Sequence, residues 1–393
     1  MYIGYSQEQE ALRKELRAYY DDLLTPEIRA EIFKEHGIGP RTTAIRKQMA
    51  ADGWLCFGWP EEYGGRGRGE VDHFIFFDEA MRSGAPLPML SINTVGPTLM
   101  AYGTEEQKQL YLPRIASGDV EFCIGYSEPG AGTDLASLQC RAELDGDEYV
   151  INGQKTWTSL AGGADYCWLA VRTDPDAAKH AGISIIIVDL KNTDGIEIQP
   201  LDLISDHNIN QVFFENARVP ATNIVGGVNK GWKLITNQLN HERVAICSTG
   251  MIEGCYDDVV AYARETELPD GRRLIDEEWV QLNLAKVYKG LSFLRLINWK
   301  VAWSASQNSL SPADASATKV FGTEFYLDSL RLMMEVLGQQ GYLTNGSAHA
   351  IAKGRCESLY RGLVILTFGG GTNEIQRDLI GLFGLGLPRI PRH

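Results

Sequence analysis

No stretch of this sequence is apolar for long enough to cross a bilayer. Runs such as Ile185–Val188 fall far short of the roughly 20 residues a spanning helix needs. Basic residues are the minority, 37 Lys plus Arg against 51 Asp plus Glu for a net charge of −14, and they form no block. That balance argues against nucleic acid as a partner. The opening MYIGYSQEQE has no basic region followed by an apolar one, so no secretory leader is expected and the cytoplasm is the expected location. The seven cysteines (Cys56, Cys123, Cys140, Cys167, Cys247, Cys255 and Cys356) include no C-x-x-C pair and have no histidine at ligand spacing. Neither a metal site nor a disulfide framework is indicated, and the thiols are expected to be reduced and mostly buried. Internal repeats and low-complexity tracts are lacking as well.

What is present is a chain of 393 residues, 44% hydrophobic and 22% charged, which is the composition of a soluble globular protein of two or three domains. Three zones follow one another. From residue 1 to 120 apolar residues recur at helical spacing, as in Leu12, Leu16, Tyr19 and Leu23, and Thr104 with Gln107 has the spacing of a capping box. The Gly- and Arg-rich stretch Gly64–Gly69 reads as an exposed loop. Over 121–226 short β-rich runs (Phe122–Tyr126, Tyr149–Ile151, Tyr166–Val171, Ile183–Val188, Val212–Phe214) alternate with turn dipeptides, which predicts a small barrel or sandwich. Over 227–393 long helical patterns return, for example Val280, Leu284, Val287, Leu291 and Leu294. The fold class is α+β: a helical domain, a β-domain, then a helical bundle.

Four features can carry chemistry. A helix is predicted over Gly231–Gly250, with Trp232, Ile235, Leu239 and Ile246 on one apolar stripe. Glu242 falls on that stripe, either as half of a salt bridge inside the bundle or as a general base whose pKa burial raises. The segment Tyr126-Ser127-Glu128-Pro129-Gly130-Ala131-Gly132-Thr133-Asp134 is either an ordinary Pro-Gly turn or a small-residue loop offering N–H groups and a hydroxyl to a phosphate. Trp157-Thr158-Ser159, after the Asn152-Gly153 turn, is either core or a platform for a flat ring with a polar edge. In Gly369-Gly370-Gly371-Thr372-Asn373-Glu374 one helix breaks and another begins, and Thr372 can cap the second.

Taken in order, YSEPGAGTD, INGQKTWTS, ARVPATNIVG and FGGGTNEIQR resemble the signatures of the acyl-CoA dehydrogenase family, over nearly the whole chain. The resemblance implies an N-terminal helical domain, a middle β-barrel or sandwich domain and a C-terminal four-helix bundle. It implies FAD as cofactor, lined by Ile124, Tyr126, Ser127, Gly132, Thr133, Trp157 and Ser159, with Thr372 and Glu374 on the C-terminal side. The reaction it implies is removal of an α-proton and a β-hydride from an acyl-CoA thioester to give the trans-2-enoyl-CoA, with an electron-transfer flavoprotein as acceptor.

The sequence departs from the family's majority at two places. Most members carry the base in a Tyr-Glu-Gly-Thr run, where this chain has Gly370. A minority, similar to isovaleryl-CoA dehydrogenases and to actinobacterial sterol side-chain enzymes, place it on the earlier helix before an Arg, which here is Glu242 before Arg243. By that resemblance Glu242 is the catalytic base, and Arg243, Asn240, Thr133 and Gly370 contact substrate. Relatives that assemble as homotetramers lend a neighbour an Arg and a Gln for the FAD pyrophosphate and adenosine. The matching stretches here begin with Glu267 and Glu335, and a carboxylate repels a pyrophosphate. The resemblance is strongest to the catalytic subunit of α2β2 sterol side-chain dehydrogenases, which implies a steroid-CoA substrate and a second acyl-CoA dehydrogenase-like subunit. A branched short-chain acyl-CoA dehydrogenase, an acyl-CoA oxidase or flavin monooxygenase, and a non-catalytic partner subunit are the other readings.

Overall fold

The computed structural model describes residues 4–205, 207–236, 247–307 and 309–389. Helix α1 (Gln7–Leu23) starts at a full capping box, Ser6 with Gln9, and buries Leu12, Leu16 and Tyr20. Helices α2 (Pro26–Lys34) and α3 (Pro40–Ala51) each open on a proline, whose fixed φ suits a first turn. Helix α4 (Glu70–Ser83) is apolar along most of its length, burying Phe74 to Phe77 and Ala80. Its buried Glu79 accepts both arms of Arg17 from α1 at 2.9 and 2.7 Å. Helices α5 (Gly96–Tyr102) and α6 (Glu105–Ala116) complete the zone. The capping box expected at Thr104 and Gln107 opens α6, and the Gln107 amide then reaches the carbonyls of Thr222 and Ile224 at 2.8 and 2.9 Å. Gly64–Gly69 is loop, and its Arg66 guanidinium lies 3.7 Å over the Trp54 ring.

The middle zone is one eight-stranded sheet: β1 (Phe122–Gly125), β2 (Arg141–Asp145), β3 (Glu148–Ser159), β4 (Tyr166–Arg172), β5 (Ile183–Asp189), β6 (Ile196–Pro200), β7 (Ile209–Pro220) and β8 (Ile224–Val225). The order is β6-β7-β3-β2-β4-β5-β8, with β1 added parallel to β4. Strands β4 and β5 are buried on both faces, which is why their sequences are continuously apolar. Strands β2 and β6 are mostly exposed and polar, which hides them from a hydrophobicity pattern.

Residues 231–236 are helical and bury Leu234 and Ile235. Then follow α7 (Gly250–Glu265), α8 (Glu278–Ser306), α9 (Pro312–Leu337), α10 (Arg355–Leu363) and α11 (Asn373–Leu379). The stripe Val280, Leu284, Val287, Leu291, Leu294 is buried as expected. The expected helix over Gly231–Gly250 is corrected at its end. Residues 247–249 are a turn, and a new helix begins at Gly250. The cause is Asp78 of α4. Its buried carboxylate accepts from the hydroxyls of Ser248 and Thr249 at 2.8 and 2.9 Å and from the Gly250 N–H at 3.1 Å. The Cys247 carbonyl accepts from Asn298 at 2.7 Å, and the Ser248 carbonyl accepts from the Tyr326 hydroxyl. A side chain at Gly250 would meet the Asp78 carbonyl at 2.1 Å, so the α4 backbone itself demands glycine there.

The expectation of seven reduced thiols is also corrected. Cys255 on α7 and Cys356 on α10 form a disulfide, while the other five cysteines are free and buried. The two lie 101 residues apart in sequence, so no local spacing announces them. The packing of α7 and α10 brings their Cα atoms to 6.2 Å, within bridging reach.

Candidate active site

Ile124 is half-buried on β1, and the chain leaves that strand through Gly125, where a Cβ would meet Leu169 at 2.8 Å and Cys167 at 2.9 Å. The loop that follows closes on itself through Glu128 N–H to the Ala131 carbonyl at 3.1 Å and the reverse bond at 3.0 Å. Beneath it is a buried ion pair that the sequence reading did not single out. The Glu128 carboxylate accepts from Lys155 Nζ at 2.7 Å and from the N–H groups of Gln139 and Cys140 at 2.7 and 2.8 Å. Lys155 is 0% exposed and also donates to the Tyr126 carbonyl at 3.0 Å. With its base fixed this way, the loop presents Gly130, Gly132 and Thr133 outward, and both glycines face open space. Tyr126 and Ser127 are half-buried, and the Tyr126 hydroxyl accepts from the Trp168 indole N–H at 3.2 Å.

Strand β3 meets this loop edge-on, the Thr156 N–H donating to the Ser127 carbonyl at 2.9 Å. There the register of β3 against β7 shifts, Lys155 facing Val212 and Thr158 facing Asn210. The extra residue is Trp157, held at φ 60°, a conformation that a bulky side chain adopts only under constraint. The bulge turns its ring out of the sheet, so that 59% of this tryptophan is exposed. Trp157 is therefore not a core residue. The Thr158 hydroxyl beside it is buried and has no hydrogen-bond partner among the described residues. Ser159 ends the strand, half-buried, paired with Ile209.

Gly370 and Thr372 are held by contacts within the C-terminal bundle. Thr372 caps α11, its hydroxyl accepting from the Ile375 N–H at 3.2 Å, as expected. Glu374 is exposed in the first turn, and Gly370 and Gly371 have φ values of 67° and 93°. Behind the glycines Lys319 of α9, 0% exposed, donates to the carbonyls of Gly371 and Thr367 and to the side-chain oxygen of Asn373. Asn240, Glu242 and Arg243 lie outside the described residues, as do Leu239 and Ile246 of the apolar stripe. Glu267 is exposed, 3.5 Å from Arg273, and Glu335 accepts from the Asn283 side chain at 3.1 Å.

Two buried lysines were therefore missed in the sequence, although a signal for each exists. Lys155 has the same parity on its strand as the inward Tyr149 and Ile151. Lys319 lies at helical spacing from the buried Ser316, Thr323 and Tyr326.

Three family profiles cover the chain in order: acyl-CoA dehydrogenase N-terminal domain over residues 6–119, middle domain over 123–217 and C-terminal domain over 229–383. Acyl-CoA dehydrogenase FadE26 of Mycobacterium tuberculosis is 53% identical over 401 residues, covering 100% of both proteins. FadE29 of the same organism is 44% identical, again over 100% of both. The solved ChsE4-ChsE5 complex from Mycobacterium tuberculosis matches with a TM-score of 0.93 at 53% identity, over 99% of this chain and 100% of that one. The solved Tcur3481-Tcur3483 steroid ACAD matches with a TM-score of 0.94 at 45% identity, with the same coverage. Helices, β-domain and bundle thus agree in sequence and in space with one group of enzymes along their full length, and the chain belongs to the acyl-CoA dehydrogenase family.

Proposed function

We propose that this acyl-CoA dehydrogenase uses FAD to desaturate a bulky, steroid-type acyl-CoA thioester at its α,β bond, with Glu242 as base. The observation that carries the cofactor reading is the bulge of β3. It displays Trp157 next to Thr156, which bonds Ser127, and leaves the buried Thr158 hydroxyl without a partner among the described residues, which is the pattern expected where a flat polar ring binds. Ile124, Tyr126, Ser127, Gly132, Thr133, Trp157 and Ser159 would hold the flavin from the β-domain, and Thr372 and Glu374 from the bundle.

Glu242 takes the α-proton. The Cα–H bond breaks, its electron pair moves toward the thioester as an enolate, and the carboxylate becomes the acid. Hydrogen bonds to the thioester oxygen stabilise that developing charge, as in an oxyanion hole. FAD, when bound, supplies the acceptor for the hydride that leaves the β-carbon. Arg243, Asn240 and Thr133 hold the CoA ester. Gly370, at a φ that disfavours any side chain, keeps bulk and charge out of the place where most relatives carry their base. Glu242→Gln lowers kcat by ~10²-fold or more, the usual contribution of a general base, and an unchanged rate would overturn the assignment. Bleaching of the flavin absorbance by steroid-CoA, and not only by branched short-chain CoA esters, tests the substrate class. An electron-transfer flavoprotein takes the electrons onward, which a reoxidation assay with and without that protein checks.

A second acyl-CoA dehydrogenase-like subunit completes an α2β2 assembly. Two of the similar solved structures are a ChsE4-ChsE5 complex and a Tcur3481-Tcur3483 enzyme. In this chain, α8 carries Trp279, Leu282, Phe293, Leu296 and Trp303, all exposed and on one side of the helix at 100° per residue. An apolar stripe of that kind on the surface calls for a partner helix. Recovery of a stable, fully flavinated homotetramer from this chain alone would rule the heteromer out.

A further inference from the structure

Glycine at 369–371 removes side chains from the loop but does not by itself hold a shape, because glycine is the residue with the most freedom to lose. Something must hold two successive left-handed residues, Gly370 at φ 67° and Gly371 at φ 93°. The group in position to do so is Lys319, whose ammonium donates to the Gly371 carbonyl at 2.8 Å, the Thr367 carbonyl at 3.2 Å and Asn373 Oδ1 at 2.8 Å. The three oxygens bracket the glycines from both sides in sequence. A second buried side chain, Gln376, reaches the Gly370 carbonyl at 3.4 Å. A charged donor deep in the protein forms stronger hydrogen bonds than a neutral one, and losing it leaves its acceptors without that donor in a medium that cannot replace it.

We infer that Lys319 is a positioning residue for substrate size: its buried ammonium pulls the loop's carbonyls back toward α9 and so keeps open the recess that a bulky acyl group occupies. The inference rests on the reading above, in which Gly370 lines the acyl site, and adds to it the residue that sets the loop's form. Without the ammonium the peptide units around Gly370 and Gly371 are free to turn. The carbonyls of Thr367 and Gly371, now tied to Lys319, would then be free to turn toward the acyl group. A short acyl chain, which does not reach that far, is much less affected.

The test compares kcat/KM for a steroid side-chain CoA ester with that for the shortest branched acyl-CoA the parent enzyme turns over, using the flavin-loaded enzyme in its isolated assembly. Lys319→Met lowers the ratio of the two values at least tenfold. Asn373→Leu, which removes one of the three acceptors and leaves the lysine in place, lowers it about threefold and serves if the first variant fails to assemble. Equal losses on both substrates in these variants would mean that the network only supports the fold, and would overturn the inference. Gly370→Ala separates the two layers of the argument. If it shifts the ratio while neither Lys319→Met nor Asn373→Leu does, the loop lines the acyl site but Lys319 does not shape it. If none of the three shifts the ratio, the placement of the loop at the acyl site is itself wrong and the inference falls with it.

Discussion

Two loops flank the proposed chemistry, and each is held from behind by a lysine with no exposed surface. Under the β-domain loop, Lys155 meets a carboxylate, Glu128, which spends its remaining acceptor capacity on the N–H groups of Gln139 and Cys140. Under the C-terminal loop, Lys319 meets two carbonyls and an amide oxygen. The first arrangement ties backbone segments that are distant in sequence to one charge pair. The second ties the segment from Thr367 to Asn373 to α9. Buried charge thus does different work in the two places. At Lys155 it welds β1, β3 and the start of β2 together, so its loss is felt as stability. At Lys319 it holds one loop's contour, so its loss is felt as selectivity.

The contrast can be broken most sharply at Lys155. Lys155→Met leaves the Glu128 carboxylate buried without its cation, which costs on the order of 3–5 kcal/mol. The expected result is a large fall in the urea midpoint with loss of bound flavin. Adding Glu128→Gln to it should restore part of that stability, because the two side chains are coupled. A double variant as unstable as the sum of the singles would show that no weld exists. Lys319→Met is the counterpart, with at least a tenfold change in substrate ratio and a smaller change in urea midpoint than Lys155→Met. Parallel behaviour of the two lysine variants in both assays would erase the distinction.

A smaller effect of mixed sign is expected at Trp157. Trp157→Gly relieves a left-handed backbone worth about 1–2 kcal/mol, against about 0.5–1 kcal/mol of added chain entropy. The apoprotein should melt at the same temperature or slightly higher while flavin retention falls, as read by absorbance after gel filtration. A lower melting temperature with flavin unaffected would return Trp157 to a structural role. The smallest effect is at Thr372. Thr372→Ala removes the α11 cap at a cost of about 1 kcal/mol, measurable by denaturant titration. If the C-terminal loop is held chiefly by Lys319, the substrate ratio should stay within a factor of about five, the most that about 1 kcal/mol can supply when a tenfold change takes about 1.4 kcal/mol.

The same contrast explains what was legible in the chain. Long helices declared themselves because a period of 3.6 requires only local sequence, and the buried stripe from Val280 to Leu294 is the result. Capping at Thr104 and Thr372 was legible for the same reason. The exposed strands β2 and β6 were not, since their residues are mostly polar and their pairing is what makes them strands. Nor was the positive φ of Trp157, because a bulge is set by the register of β3 against β7, a partner more than 50 residues on. The buried lysines fall between these cases. Their positions on the inward face could be read, but the general rule that lysine stays outside concealed them. The pairing of Cys255 with Cys356 depends on how α7 and α10 pack and on nothing nearby in sequence.

The junction at Asp78 bears on how the enzyme is made rather than on what it catalyses. Its partners lie 170 to 172 residues further along the chain, and they terminate the turn that leads into α7. A ribosome therefore releases the whole β-domain before this carboxylate finds its donors, and such distant closure slows folding. Until then α4 carries an unsatisfied acid toward the interior, and the first N–H of α7 lacks its side-chain acceptor. The first and third zones, which look separable on paper, are joined there. Fragments cut between them should collect as insoluble protein, whereas co-expressed halves that can still meet at Asp78 should recover the soluble fold.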